Sequence, residues 1–287
     1  MLAAVRAFFA DRGVLEVDPG SLVKCPPNDA NIEVIRTDQE GGFLHTSPEY
    51  AMKRLLAQGV GDCYFLGHVY RKAELGRLHN PEFTMAEWYR LGISLDQMIL
   101  ETCEMLFVFF GPLPIEKVSY RDAFARYAGV DYTRVSLEQL QQMTQSSWPR
   151  DTCLHYLLTH RIEPHLGLSG LTVLMDFPPY EAALACRVQK GGEEVAERFE
   201  IYYRTVELAN GYHELSNAKE LKERFDALNQ ARGLDGKETY PLDEKFLKAL
   251  ERLPDCCGVA LGFDRALMLH AQSSSLQEIL PFSWDEY

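Results

Sequence analysis

The chain has 287 residues, with 42 acidic against 29 basic side chains and a formal net charge of −13. Such a surface repels phosphate backbones, so composition favours a basic protein over a nucleic acid as partner. The apolar and charged fractions are those of a globular protein, and no apolar run is long enough to span a bilayer.

The cysteines and the N-terminal segment indicate a cytoplasmic protein. The chain has seven cysteines, an odd number, and no C-x-x-C pair, so reduced thiols are expected and a zinc site is not. The first residues do not form a signal peptide, because Arg6 interrupts the apolar run and Asp11 and Arg12 follow it.

The N-terminal part predicts two helices and short strands. The apolar and β-branched patterns predict a helix and two strands, at residues 2–11, 14–17 and 43–46. A loop at 25–42 separates the strands. The next helix opens with Ser47 as its cap and Pro48 in its first turn. Glu49 then either complements the helix dipole or faces a ligand.

Residues 64–90 predict a hairpin with a charged loop. Its strands, at 64–71 and 83–90, are rich in aromatic and β-branched residues. The loop carries several cations, and guanidinium groups bind phosphate oxygens bidentately. Alternation puts Glu87 and Tyr89 on one face, where a charge and a ring suit a cationic ligand. The alternative reading is a surface hairpin with a solvated turn.

The next segment predicts helices and little chemistry. A long helix is capped by Ser94 and ends near residue 110. Shorter helices are expected further on, at residues 119–128, 136–146 and 152–162. Three histidines follow a spacing of five that does not place them on one helical face, so structural or surface roles are expected for His155, His160 and His165. Residues 112–170 are predicted to be a helical insertion.

Residues 197–215 combine three acids with the composition of a strand. Two earlier strands are predicted, at 171–177 and 182–188. Aromatic and β-branched residues favour strand here, and Asn210-Gly211 predicts a turn. Carboxylates near a phosphate site suit magnesium, whereas a carboxylate in an aromatic pocket binds an ammonium. The three acids are Glu200, Glu207 and Glu214.

The C-terminal part predicts two charged helices and then a strand, a glycine turn and a helix. The charged helices are expected at 217–232 and 243–253. The strand, turn and helix occupy 258–270, with the helix starting near Asp264. A helix N-terminus favours anions, and Arg265 at this turn suits a terminal phosphate.

These stretches resemble class II aminoacyl-tRNA synthetases, above all the lysyl enzymes. The N-terminal helix and strand resemble motif 1, residues 71–90 motif 2 and residues 258–270 motif 3. The segments TSPEYAMKRLL and ELANGYHEL resemble parts of the lysine site. The resemblance covers nearly the whole chain. It implies one α+β catalytic domain over residues 1–287, with a mixed, mainly antiparallel sheet flanked by helices.

The resemblance also implies a role for each matching residue. Catalytic roles fall to Arg71 and Arg265. ATP contacts fall to Arg71, His79, Asn80, Phe83, Glu207 and Arg265. A magnesium ion, Mg2+, would be held by Glu200 and Glu207. The lysine-like substrate would be bound by Ser47, Glu49, Glu87, Tyr89, Asn210, Tyr212, Glu214 and Ala260.

One group of lysyl-tRNA synthetase relatives resembles the chain most in its layout. Met1 already lies in the motif 1 helix, so no anticodon-binding domain is expected. In its domain architecture and in the sequences of its motifs, the chain resembles elongation factor P–(R)-β-lysine ligases. This implies transfer of (R)-β-lysine to a lysine of elongation factor P by a cytoplasmic homodimer, without tRNA. Ala260 stands where lysyl enzymes have glycine, and the resemblance implies that it favours the β-amino isomer.

Motif 2 departs from the family pattern. The chain has Arg71-Lys72-Ala73 where the family has Arg-x-Glu. The adjacent Glu74 points to the other face of a strand unless a loop re-aims it. Weaker ATP binding would follow. Two alternatives therefore stay open: a lysine-binding module without efficient activation, and a stand-alone lysine-activating enzyme with another acceptor.

Overall fold

The computed structural model describes residues 1–29, 32–38, 41–282 and 284. The chain divides into two compact units. The first comprises Met1–Gly111 and Tyr212–Tyr287, and the second comprises Pro112–Gly211. Of the loop predicted at 25–42, residues 30, 31, 39 and 40 lie outside the described part of the chain.

The first part of the first unit contains the predicted hairpin. Its elements are α1 (Leu2–Ala10), β1 (Leu15–Glu16), β2 (Leu22–Val23), β3 (Phe43–Leu44), α2 (Glu49–Leu56), β4 (Cys63–Tyr70), β5 (Glu82–Leu91) and α3 (Leu95–Phe110). Ser94 caps α3 with a complete capping box, as predicted. On α1 the side chains of Val5, Phe8 and Phe9 are buried, whereas Leu2 is exposed.

The second unit combines short helices with strands. Its elements are β6 (Ile115–Ser119), α4 (Tyr120–Ala123), α5 (Leu137–Thr144), α6 (Arg150–Leu157), β7 (Leu171–Phe177), β8 (Arg187–Lys190), β9 (Glu193–Tyr203) and β10 (Val206–His213), whose last two residues belong to the first unit. Single π-helical turns extend α4 and α6, at Phe124–Ala128 and Leu158–Ile162. The compact unit ends at Gly211, so the predicted insertion at 112–170 covers only part of it.

The remaining elements belong to the first unit. They are α7 (Ala218–Leu234), α8 (Glu244–Leu250), β11 (Cys256–Gly262) and α9 (Phe263–His270). Side chains of Asn217 and Asp243 cap α7 and α8 by accepting hydrogen bonds from backbone N–H groups. Within the described residues, no helix has both the length and the apolar character that crossing a membrane requires.

Strand pairing in both units is mixed and mainly antiparallel. In the first unit β1 runs parallel to β4, and antiparallel pairs join β4 to β5 and β5 to β11. In the second unit β6 runs parallel to β7, and antiparallel pairs join β7 and β8 to β9. The predicted α+β fold class, a mixed, mainly antiparallel sheet flanked by helices, is confirmed.

An aromatic cluster anchors the hairpin of β4 and β5. The Phe9 ring of α1 stacks on Tyr64 at 4.1 Å between centroids and meets Trp88 edge-on at 5.3 Å. Trp88 is fully buried. Burying a large aromatic side chain contributes about 1.5–3 kcal/mol, so this cluster fixes the hairpin firmly. It thereby fixes the position of Glu87, Trp88's neighbour on β5.

Two local predictions in the second unit were wrong. Asn210 and Gly211 lie inside β10, and the turn falls instead at Arg204 and Thr205, which both have positive φ angles. The strand expected at 182–188 begins only at Arg187. Its position is set by a turn at two glycines with positive φ, which pairs β8 with the start of β9.

Candidate active site

Glu87 is a buried carboxylate whose partners are hydroxyl groups. Its Oε1 accepts a hydrogen bond from the Tyr89 hydroxyl at 2.8 Å, and its Oε2 accepts one from the Ser47 hydroxyl at 2.7 Å. Glu87 and Tyr89 are both 2 % exposed. Ser47 also accepts from the backbone N–H of Glu49 at 3.0 Å, so the start of α2 orients Glu87. Neutral donors thus hold the carboxylate in place.

The surroundings of Glu87 favour its protonated form in the absence of a cation. Burial raises the pKa of Glu87 to about 8, because desolvation disfavours the charged carboxylate, and the negative charge of Glu49 adds to this rise. Hydrogen bonds from Ser47 and Tyr89, together with the Lys53 ammonium, act in the opposite direction. An incoming ammonium would stabilise the ionised form, so this position suits a cationic ligand.

Lys53 is a site residue that the sequence reasoning missed. It is 1 % exposed, and its Nζ forms ion pairs with Glu49 Oε1 at 2.5 Å and with Glu214. Burial alone would lower the pKa of Lys53, but the charges of Glu214 and Glu49 outweigh burial and raise it. The available signal was the i,i+4 spacing of Glu49 and Lys53, which ordinary surface ion pairs share.

Glu214 directly follows β10 and forms an ion pair with Lys53 in the same cluster. Its backbone N–H donates to the carbonyl of Cys256 at 3.0 Å. Burial raises the pKa of Glu214 to about 7, against the opposing charge of Lys53 and with a further rise from Glu49. Lys53 is therefore shared between two carboxylates that compete for its charge.

Strand β11 closes one side of this pocket. A Cβ atom on Gly258 would lie 2.3 Å from Oε1 of Glu214 and 2.3 Å from Cε1 of Tyr89, so only glycine permits this close approach. Ala260 pairs with Glu87 in the strand register, which puts its methyl group on the same face as that carboxylate. The structure therefore brings six of the predicted substrate residues of the first unit into one acidic pocket: Ser47, Glu49, Glu87, Tyr89, Glu214 and Ala260.

Arg71 begins the loop between β4 and β5. Its guanidinium carbon lies 5.0 Å from the ring centroid of Phe83, and its Nη1 lies 3.9 Å from Oε2 of Glu74. The Nε atom is buried and has no hydrogen-bond partner within the described part of the chain. Ala73 has φ +60°, a left-handed turn that directs Glu74 towards Arg71. The loop thus turns the Glu74 carboxylate towards Arg71, although Glu74 is one position later than the glutamate of the family's motif 2.

Arg265 reaches the far end of the same loop. Its Nε donates to the carbonyl of Leu78 at 3.1 Å, and its Nη2 lies 2.7 Å from Nε2 of His79. Asn80 donates to the carbonyl of Glu82 at 2.6 Å, which shapes the return of the chain into β5. Arg265, His79 and Asn80 are therefore brought to one edge of the hairpin.

In the second unit, Glu200 is the centre of a hydrogen-bonded group. Its Oε1 accepts from Arg198 at 2.5 Å and from Asn210 at 3.4 Å, and its Oε2 accepts from Tyr202 at 2.6 Å. Burial raises the pKa of Glu200 to about 7, while the charge of Arg198 opposes this rise and that of Glu207 adds to it. Asn210 is thus held by Glu200 and Arg198.

This group does not fit direct magnesium binding by Glu200. Both carboxylate oxygens already accept hydrogen bonds, and one of the donors is the cationic Arg198. In the residues that the structure describes, no three His, Cys, Asp or Glu side chains are arranged to hold a metal ion. Glu207 is half-buried on β10, and its charge adds to the rise in the pKa of Glu200. Magnesium binding by Glu207 stays a prediction, whereas the geometry of Glu200 argues against its predicted role as the second ligand. Tyr212 is half-buried at the start of the first unit's C-terminal part.

Comparison with known proteins identifies the family. Residues 1–286 match the class II tRNA synthetases of the D, K and N group. The chain belongs to this family. It is 39% identical over 303 residues to the elongation factor P–(R)-β-lysine ligase of Salmonella dublin, which covers 99% of this chain and 93% of that protein. Ligases of the same name from Salmonella paratyphi B and Salmonella heidelberg show the same identity and coverage.

Membership of the class II synthetase family confirms two expectations from the sequence. The chain has the class II catalytic core, and it is an ATP-dependent ligase. The roles of individual residues remain proposals, and the pocket around Glu87 is the part of this class II core on which they depend most.

Proposed function

We propose that this chain activates (R)-β-lysine with ATP and transfers it to a lysine side chain of elongation factor P. The observation that carries the proposal is Glu87, a buried carboxylate that forms no ion pair within the described part of the chain. The terminal ammonium of a lysine-type amino acid would supply this missing charge. The name that the 39% identical relatives share supports β-lysine and the protein acceptor.

The first step forms an aminoacyl adenylate. A carboxylate oxygen of β-lysine attacks the α-phosphorus of ATP, the bond from that phosphorus to the bridging oxygen breaks, and pyrophosphate leaves with the electron pair. Arg71 would neutralise charge at the carboxylate and α-phosphate, and Arg265 would bind the outer phosphates. Phe83 would stack on the adenine, with His79 and Asn80 beside the phosphates. We assign no step to Mg2+, because Glu200 does not fit as a ligand.

The second step forms an amide bond. The side-chain amine of the acceptor lysine loses a proton to solvent and attacks the acyl carbon of the adenylate. The bond to the phosphate oxygen then breaks, and AMP leaves. Positioning and electrostatics carry this reaction, so the enzyme needs no covalent nucleophile. Tyr212 and Tyr89 would line the aliphatic stem.

The preference for the β-amino isomer is assigned to Ala260. Its register position opposite Glu87 adds a methyl group to the face that holds the carboxylate. One methyl group in a pocket shifts selectivity by about 1–3 kcal/mol. Replacing Ala260 with the glycine typical of lysyl enzymes should therefore move the preference towards L-α-lysine.

We also propose a cytoplasmic homodimer that acts without tRNA. In the resembling family the N-terminal helix and strand form the dimer interface, and here Leu2 and Leu15 are 45% and 53% exposed. Exposed apolar residues on these elements support an interface between two copies. The net charge of −13 supports a protein rather than a nucleic-acid partner.

One observation favours a second function, that of a lysine-binding module with impaired activation. Ala73 replaces the glutamate of motif 2, which contacts ATP in the resembling family. The position of Glu74, 3.9 Å from Arg71, argues against impairment, because a carboxylate still reaches the arginine. We therefore favour the ligase.

The experiment incubates the purified chain with elongation factor P, ATP and (R)-β-lysine, and measures the intact mass of the acceptor. We expect a mass increase equal to one lysyl group, and its loss when the modified lysine, located by peptide mass spectrometry, is replaced by arginine. Parallel reactions use L-α-lysine and lysine tRNA. Charging of the tRNA without modification of elongation factor P would overturn the proposal.

A further inference from the structure

An arginine near the end of α7 is buried. The Arg232 side chain is 1% exposed, and its guanidinium carbon lies 4.7 Å from the ring centroid of Tyr240, which is also buried. Burying a charge costs free energy unless a counter-ion and hydrogen bonds satisfy it. Packed apolar side chains of similar volume often stabilise a fold as well as a buried ion pair does. Stability alone therefore gives no reason for an arginine at this position.

The guanidinium of Arg232 binds the loop between β2 and β3. Its Nη2 forms an ion pair with Oε1 of Glu33 at 2.9 Å, and its Nη1 donates to the carbonyl of Asp29 at 2.9 Å. The Tyr240 hydroxyl donates to Oε2 of Glu33 at 3.3 Å and accepts from the backbone N–H of Val34 at 3.1 Å. Both carboxylate oxygens of Glu33 are thus engaged, so this loop residue has a fixed position.

Glu33 connects this cluster to motif 2. Its carbonyl oxygen accepts a hydrogen bond from the backbone N–H of Lys72 at 2.8 Å. Lys72 directly follows Arg71, whose own N–H donates to the carbonyl of Pro81 at 2.8 Å, across the hairpin. The backbone around Arg71 is therefore held by the hairpin on one side and by the loop between β2 and β3 on the other.

The next residue of motif 2 makes this restraint important. Ala73 has φ +60°, a left-handed conformation that is unfavourable for alanine and persists only where the surrounding structure imposes it. This conformation accompanies the approach of Glu74 Oε2 to within 3.9 Å of Arg71 Nη1. The hydrogen bond from Lys72 to Glu33 restrains the backbone immediately before Ala73.

We propose that Arg232 is a positioning residue for amino-acid activation. It fixes Glu33, and Glu33 fixes the motif 2 backbone that directs Arg71 at the α-phosphate of ATP. This deepens the proposed function and rests on it, because Arg71 acts in adenylate formation. Arg232 acts through Glu33 rather than by contact with a substrate, since its guanidinium is engaged by groups of the protein.

The test measures kcat and KM for exchange of pyrophosphate with ATP, driven by (R)-β-lysine, in Arg232→Met. Arg36→Met is the matched control, because Arg36 forms a solvent-exposed ion pair at 2.5 Å with Glu238, which joins the same loop to the segment after α7. Misplacement of a catalytic group by about 1 Å can cost on the order of 100-fold in rate. We expect kcat of Arg232→Met to fall to this extent, with KM for (R)-β-lysine nearly unchanged. Arg36→Met should keep both constants.

Two double variants distinguish positioning from a general loss of stability. In the Arg71→Lys background, whose residual exchange is the reference, Arg232→Met should lower kcat no further, because the group that it positions has already been replaced. In the Glu87→Gln background the same substitution should lower kcat by the full factor, since Glu87 binds a different part of the substrate. A purely structural loss would lower kcat equally in both backgrounds.

Amide hydrogen exchange provides a readout that does not depend on activity. The Lys72 amide should exchange slowly in the wild type and in Arg36→Met, and faster in Arg232→Met. If Arg232→Met fails to fold, Glu33→Gln carries the test, because it removes the charge that Arg232 binds from a partly exposed side chain. We expect kcat of Glu33→Gln to fall about tenfold, the scale of one weakened charged hydrogen bond, and its Lys72 amide to exchange faster.

Two kinetic results would overturn the inference. One is an unchanged kcat in folded Arg232→Met, or in Glu33→Gln if Arg232→Met does not fold. The other is an equal fall in kcat in the Arg71→Lys and Glu87→Gln backgrounds. Absence of exchange by the wild type with every amino acid would instead contradict the proposed function. In that case the Lys72 amide still tests the link from Arg232 to motif 2, and equal exchange rates in wild type and variant would overturn it.

Discussion

Tyr89 donates its phenolic hydrogen to Glu87, the residue two positions before it on the same face of β5, with 2.8 Å between the two oxygens. The ring and the carboxylate are both buried, so one strand supplies the charge for an ammonium and the wall beside it. Ser47, from the start of α2, completes the set of donors to the carboxylate. The alternation of side chains along β5 therefore places the carboxylate and the ring of the proposed ammonium site next to each other.

Replacement of Glu87 by glutamine tests its role in binding. Glu87→Gln keeps the shape but removes the charge, so KM for the amino acid in the exchange reaction should rise about 30-fold or more. The fold should persist, because a neutral side chain is easier to bury. Circular dichroism checks the fold, and Glu104→Gln serves as the control, because Glu104 is a half-exposed carboxylate on α3 whose partner is Arg12. An unchanged KM would show that Glu87 does not face the substrate.

The stability of the ligand-free protein should fall as pH rises from about 4.5 to about 8. The pKa of Glu87 in the folded state, about 8, lies above its ordinary value of 4.5, so the folded state binds more protons than the unfolded state. The stabilisation from this extra bound proton is fully present below pH 4.5, the ordinary pKa. It is lost as pH rises through about 8, the pKa in the folded state. Glu200 and Glu214, each with a pKa of about 7, act in the same direction.

Denaturant unfolding across this pH range checks the prediction. Each group contributes at most about 1.4 kcal/mol per pH unit, and Glu87→Gln should make the profile flatter by an amount of this order. Saturating (R)-β-lysine should also flatten it, since the ligand favours the ionised carboxylate. A wild-type profile that rises with pH over this interval would contradict the proposed burial of these carboxylates.

Gly258→Ala should abolish amino-acid binding while leaving most of the structure intact. The new Cβ would lie 2.3 Å from both the Glu214 carboxylate and the Tyr89 ring, so at least one must move. Overpacking of this kind costs about 1–3 kcal/mol of stability. Gly20→Ala is the matched control, because a Cβ there meets open space. Calorimetric titration with (R)-β-lysine gives the affinity, and near-wild-type binding by Gly258→Ala would refute the close packing.

Glu74→Gln should weaken activation if Glu74, whose Oε2 lies 3.9 Å from Nη1 of Arg71, substitutes for the missing motif 2 glutamate, as we propose. We expect KM for ATP to rise about tenfold, the scale of one weakened charged contact, with KM for the amino acid unchanged. Glu82→Gln, on the same hairpin but paired with His68 on the exposed side, is the control. Equal ATP affinity in wild type and Glu74→Gln would mean that Arg71 needs no carboxylate neighbour.

Much of the fold could be predicted because the sequence patterns are local. The hairpin strands, the capped α3 helix and the helices α7 and α8 follow from alternation, spacing and capping residues. The turn at Arg204 and Thr205 could not be found in this way, because both adopt a left-handed conformation that their types rarely favour. Asn210-Gly211 had the stronger turn signal, but strand pairing decided its conformation.

The site could be predicted only in part, for a related reason. Glu87, Tyr89 and Glu214 were found through the motifs, and they share one pocket. Lys53 was missed because its neighbours in space, Glu49 and Glu214, lie four and 161 positions away in the chain, and only folding brings the second one close. Glu200 was predicted as a metal ligand, and its engagement by Arg198 and Tyr202 depends equally on side-chain packing.

The most direct test is exchange of pyrophosphate with ATP by the purified chain, with (R)-β-lysine, L-α-lysine or no amino acid. The proposed function predicts rapid exchange with (R)-β-lysine, slower exchange with L-α-lysine and none without amino acid. Exchange that favours L-α-lysine would contradict the assignment of the β-isomer and indicate a lysine activator. No exchange with either amino acid would contradict adenylate formation, and the chain would then be a binding module.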